Sequence, residues 1–198
     1  MPDRTKSLRL KFAFDYGEEE LSVKEFWDFC IQNDKLQIEL VKKDEMKITF
    51  PRGFKYSEKS LEILMQISQW QKTYQTGEFF NHLVGYVLPN GLIFSPSFFW
   101  IKNERFESLS KEQKEELIHL CPDFVIELLL PSDSLSETLE KMVAYIENGT
   151  QLGWLIHSKT NQVFIYLPNE EVKVLENPTK VSGEPLLKGF ALDLTEIW

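Results

Sequence analysis

The sequence predicts an α/β (α+β) protein, a mixed β-sheet flanked by helices, and three observations carry that expectation. CPDFVIELLLP is an almost unbroken apolar run around 123–130, the mark of a strand covered on both faces. Amphipathic helical spacing recurs at 21–33, 57–75 and 134–148, and strand-like alternation bounded by turn residues fills the stretches between. Strands and helices interleave in this way in mixed α and β architectures.

In chain order, LSVKEFWDFCIQN (21–33) reads as a helix opened by a capping box, with Ser22 and Glu25 satisfying end amides reciprocally. KLQIELVKKDEMKITF alternates through a charged turn at 42–45 and reads as a β-hairpin. Leu36, Ile38 and Leu40 share one face, which puts Glu39 on the other. A long helix is expected over 57–75, with Leu61, Leu64, Ile67, Trp70 and Tyr74 as its apolar stripe and Gly77 as its stop. GYVLPNGLIF is a strand, a Pro-Asn-Gly turn and a second strand. Pro96 interrupts, and SFFWI (97–101) continues as a buried strand, so 84–88, 92–101 and 123–130 are expected in one sheet carrying the first two helices. A short charged helix spans 109–119. The helix at 134–148 ends at Asn148-Gly149, and strands at 152–157, 162–167 and 171–175 form a C-terminal meander.

The chain of 198 residues suits a single domain, 1–198, with 1–20 as an N-terminal strand or arm. No run of 18 apolar residues occurs, and the charged start MPDRTKSLRLKF lacks the apolar core of a signal peptide, so no membrane association and a cytoplasmic location are expected. The two cysteines, Cys30 and Cys121, read as reduced thiols. A net charge of −9 argues against a protein that wraps nucleic acid with its whole surface. The first 60 residues hold 12 basic and 12 acidic side chains, and the remainder 10 and 19, so the deficit lies wholly in the later part. Arg4, Lys6, Arg9 and Lys11 alternate through the start, as a local basic face or as a solvated tail.

The strongest local anomaly is Glu127, a carboxylate in the middle of a strand that should be buried. It needs a partner, a metal or a cleft, or else an open strand edge or an ion pair. Asp123 falls on the same face but about 13 Å away at about 3.3 Å per residue, too far to share an ion with Glu127. His82 and His119 have no partner at metal-ligand spacing, and Trp27, Trp70, Trp100 and Trp154 read as core.

Three segments, GYVLPNGLIFSPSFFWI, CPDFVIELLLPSDSLSETLEKMVAYIENGTQLGWLI and VLENPTKVSGEPLLKGFALDLTEIW, resemble the Uma2 family of bacterial restriction-endonuclease-like proteins, which have the PD-(D/E)XK nuclease fold. The resemblance covers roughly residues 20–198. It implies a Mg²⁺- or Mn²⁺-dependent endodeoxyribonuclease whose ion positions a water and stabilises charge on the transferring phosphoryl group. Carried over position by position, it makes Glu127 the second-strand acid and metal ligand. The Leu128 carbonyl becomes an auxiliary ligand, Glu39 the acid of the first region, and Lys141 a relocated catalytic lysine. Where the family has its first-strand aspartate, after Ser95-Pro96, this chain has Ser97 at the metal position. The family's lysine two residues beyond the glutamate is also absent, because Leu129 stands there, and His157 replaces a common aspartate. Two readings follow: an active nuclease acting on DNA, or a degenerate nuclease-fold protein that binds nucleic acid or a protein without cutting. A homo-oligomer built on an aromatic-rich sheet edge is a further expectation.

Overall fold

The Ser22 hydroxyl accepts from the Glu25 amide and the Glu25 carboxylate accepts from the Ser22 amide, closing the capping box of α1 (Val23–Gln32). A computed structural model of the chain describes residues 21–33, 36–43, 45–49, 53–129 and 133–198. The expected arm at 1–20, with Arg4, Lys6, Arg9 and Lys11, lies outside the described residues, as do the tip of the 42–45 turn and the segment 130–132.

α1 buries Phe26 against an antiparallel hairpin, β1 (Gln37–Lys42) and β2 (Glu45–Thr49), in which Ile38 faces Ile48 and Glu39 faces Lys47. The hairpin is half of a four-stranded sheet of order β2-β1-β5-β4, completed by β4 (Tyr86–Val87) and β5 (Ile93–Phe94). Gly91, at φ +85°, supplies the left-handed residue that the β4–β5 turn needs.

The larger sheet has six strands in the order β10-β9-β8-β7-β6-β3. These are β3 (Gly77–Asn81), β6 (Phe98–Lys102), β7 (Phe124–Leu129), β8 (Leu152–His157), β9 (Gln162–Tyr166) and β10 (Lys173–Glu176). The sheet is mixed: β7 pairs antiparallel with β6 and parallel with β8. Every residue of β7 is buried, because both of its faces are covered. Phe124, Ile126 and Leu128 face a core built with α2 (Phe54–Tyr74) and the C-terminal segment. Val125 and Leu129 face a second core under α5 (Leu135–Glu147). By strand alternation Glu127 points into that second layer, towards α5. The helix lies close to the sheet over Gly153, where a Cβ would come 2.6 Å from Met142 Cε.

The structure departs from the sequence expectations at several places. The stretch 92–101 is not one strand: the chain leaves the four-stranded sheet after Phe94 and enters the six-stranded sheet at Phe98. Pro96, which cannot donate to a ladder, stands in that gap. The segment 84–88 consequently belongs to the smaller sheet, and α1 packs there rather than on β7. α2 begins at Phe54 and buries Ile63, Ile67 and Trp70, leaving Leu61, Leu64 and Tyr74 exposed. The helix expected at 109–119 shortens to α4 (Lys111–Glu115), and α3 (Asn103–Glu107) was not anticipated. Neither were β3 and the pair β11 (Lys180–Ser182) and β12 (Ala191–Asp193). Trp70, Trp100 and Trp154 are core, whereas Trp27 is only half-buried.

Candidate active site at the junction of the two sheets

The chain's passage between sheets builds the site. The antiparallel register of β6 and β7 pairs Phe98 with Ile126 and Phe99 with Val125, which sets Ser97, one step earlier, opposite Glu127. The Ser97 hydroxyl donates to Glu127 Oε2 at 3.4 Å and accepts from the Leu128 amide at 3.0 Å. On the other sheet Glu39 projects from β1, away from the Phe26 core, and its Oε1 accepts from the Ser95 amide. Residues 95–97 thus hold one carboxylate from each sheet.

Lys141 joins them. Its Nζ lies 2.7 Å from Glu39 Oε1 and 2.8 Å from Glu127 Oε1, bridging β1 and β7 from the middle of α5. One turn further along the helix, the buried Tyr145 hydroxyl donates to the same Glu127 Oε1 at 2.7 Å. The four groups are largely withdrawn from water: Glu39 is 3% and Glu127 8% exposed. Burying two carboxylates is costly unless opposite charge and hydrogen bonds accompany them, and Lys141 with its neighbours supplies both. Burial opposes the charge on Lys141, but the Glu127 and Glu39 carboxylates outweigh it and hold its pKa above that of an ordinary lysine. Burial, then the Glu127 charge, pushes the Tyr145 phenol well above its ordinary value, so it stays a donor.

Glu39, Ser97, Glu127, Leu128, Leu129 and Lys141 all line one narrow cleft with a cavity volume of about 40 Å³, enough for an ion or one to two waters. The sequence-derived candidates therefore meet in one place. Asp123 does not join them. It is fully buried elsewhere, paired with Arg105 at 2.8 Å and accepting from the Lys102 amide and the Gln151 side chain. Sequence reasoning missed Tyr145 and the Ser95 amide. The one available signal for Tyr145 was its place four residues after Lys141, on the same helix face.

Two sheets joined through residues 95–97, with carboxylates and a lysine at the junction, form a restriction-endonuclease-like architecture. Residues 23–195 match the Uma2 family, described as "Putative restriction endonuclease", and the chain belongs to that family. The fold is similar to the crystal structure of a putative nuclease of the DUF820 group from Anabaena variabilis ATCC 29413. The TM-score is 0.68 at 22% identity, covering 81% of this chain and 88% of that one. No curated protein matches the chain. Among the described residues no helix is long and apolar enough to cross a membrane.

Proposed function

We propose that the chain is a nuclease that acts on DNA, with the phosphodiester meeting the cleft of Glu39, Ser97, Glu127 and Lys141. One observation carries the reading: two buried carboxylates from different sheets converge within 2.8 Å of one ammonium, beside a cleft. Such costly arrangements concentrate at functional sites.

Among the described residues no three His, Cys, Asp or Glu side chains gather, so the side chains of those residues do not by themselves complete a metal shell. Mg²⁺, however, commonly binds through one or two carboxylates, with waters and substrate phosphate as the remaining ligands. Glu127 Oε2, held only by the long Ser97 contact among the hydrogen bonds of the described residues, fits such a partial set. Glu127, the Ser97 hydroxyl and the Leu128 carbonyl would hold Mg²⁺ or Mn²⁺. The ion would supply a polarised water and charge compensation on the phosphoryl oxygens. Lys141 and Tyr145 both engage Oε1 of Glu127, which fixes the carboxylate and leaves Oε2 turned to Ser97. Glu39 anchors the ammonium so that it cannot swing out of the cleft.

Binding without cleavage is the second reading, favoured by the neutral Ser97 where the family has an aspartate. Plasmid nicking in Mg²⁺ and in Mn²⁺ separates the two. Nicking by the parent, abolished by Glu127→Ala in a protein of unchanged fold, supports the nuclease. An inactive parent that still retards DNA supports the binding module, and a parent that does neither removes both.

A further inference from the structure

Beside the acidic cleft lies a second cavity, of about 480 Å³, enclosed by α1, the β1–β2 hairpin and α2. Its volume is in the usual range for an organic ligand site, about 300–1,000 Å³. The two cavities are contiguous: Gln37, Tyr56, His82 and Ser95 line both. Its lining is unusual for so acidic a chain, since among the described residues no Asp, Glu, Lys or Arg faces it. It offers instead the half-buried rings of Trp27, Tyr56 and His82, with the hydroxyls of Ser57 and Ser60 and the Gln37 amide. The cavity on the other flank, about 260 Å³, is by contrast charged, lined by Glu45, Glu137 and Glu140 as well as by Lys42, Lys47 and Lys141.

An uncharged cavity with aromatic walls and neutral donors and acceptors suits a planar, polar-edged ring. Among the described residues a phosphate group finds no cation there, and a metal finds no carboxylate. A net charge of −9 also weakens any grip that relies on phosphates alone, so affinity for a nucleic acid must come in good part from base contacts. From these observations we infer that the cavity receives an unpaired nucleobase, neighbouring the phosphodiester in the cleft, and that the substrate is single-stranded or locally opened DNA. The inference rests on the proposed action on DNA. Lys55 and Lys59, one turn apart on α2, each precede a residue of the Tyr56–Ser57–Ser60 stripe by one position, which puts two positive charges on the adjoining face of the helix.

The full chain is titrated with a single-stranded 12-mer carrying one 2-aminopurine, and with the same strand in duplex. The expected results are at least tenfold tighter binding of the single strand, a change in 2-aminopurine emission, and at least tenfold weaker binding by Ser60→Trp, which fills the cavity. A 5-iodouracil version of the strand, photolysed on the unmodified protein, should cross-link to Trp27, Tyr56 or His82, which keeps the test decisive if Ser60→Trp misfolds. Equal affinity for single strand and duplex, or cross-links only outside the cavity, would overturn the inference while leaving the nuclease reading intact. Failure to bind either DNA overturns both. Binding as expected without nicking supports the base site and counts against the nuclease reading alone.

Discussion

Lys141 is the residue on which both sheets depend electrostatically. Lys141→Met keeps the length of the side chain and removes its charge, leaving Glu39 and Glu127 facing each other without a cation. Breaking a buried pair in this way costs about 3–5 kcal/mol, on the order of 10 °C in a chain of this size. Thermal unfolding should show that loss, and Glu127→Gln in the same background should recover part of it; an additive double mutant would mean that the pair is not coupled. The pH dependence has a definite sign. Lys141 and Tyr145 have folded pKa values above their unfolded ones, about 10.4 and 10. The unfolded chain therefore sheds their protons first. Their contribution is fully present below pH 10 and declines as pH rises through the folded values. Between pH 10 and 11.5 the parent should lose stability more steeply than Lys141→Met, and parallel curves would refute the linkage. Ser97→Asp adds a third carboxylate beside Glu127. Without metal it should lower the melting temperature, and with Mn²⁺ it should raise it well beyond any rise in the parent. A variant indifferent to Mn²⁺ would mean that more than residue 97 separates this cleft from a strong metal site. Glu127 was conspicuous in the sequence because a charge inside an apolar run demands an explanation. Tyr145 was not, because a tyrosine on the apolar face of a helix looks like any other core residue until its hydroxyl is located.

The elements matter through where they change sheets. Residues 95–97 hand the chain from β5 to β6, and the same three residues hold Glu39 by a backbone amide and Glu127 by a hydroxyl. The sequence showed the proline but not the change of sheet, because alternation reports which face a residue takes and not which strand it pairs with. β3 was missed for a different reason: GEFFN follows α2 with only Thr76 after its left-handed Gln75 cap, so no turn cluster announces it. β11 and β12 are three residues each, below the length at which periodicity is readable. The start of β7 has its own fastening, independent of the cleft. Asp123 is buried, pairs with Arg105 and accepts from the Lys102 amide, tying β6, α3 and β7 together. Asp123→Ala should destabilise by about 1–3 kcal/mol through the unsatisfied donors it leaves. Denaturant unfolding of this variant should show a lowered midpoint with an unchanged slope, and a midpoint equal to the parent's would remove Asp123 from the fastening.

At the scale of the whole molecule, charge decides how DNA can be held. A protein that neutralises many phosphates releases as many counterions, and its affinity falls steeply with salt, with a slope on a log–log plot of about −0.9 per phosphate for duplex and about −0.7 for single-stranded DNA. This chain has 22 basic against 31 acidic side chains, and the acidic excess lies beyond residue 60, where Glu137, Glu140 and Glu147 line one helix. Of the two lysines that line the cleft, Lys141 is already shared between two carboxylates and Lys47 lies 3.6 Å from Glu137. Few cations are therefore left to engage phosphates, and the expected log–log slope for DNA binding between 50 and 200 mM salt is shallow, about −2 to −3. If bases supply most of the affinity, the slope should also be nearly the same for Ser60→Trp, with the whole line displaced to weaker binding. Fluorescence anisotropy at four salt concentrations measures both quantities. A slope of about −6 or steeper would mean that DNA is held by a basic surface that the described residues do not account for, which would direct attention to Arg4, Lys6, Arg9 and Lys11 at the start of the chain.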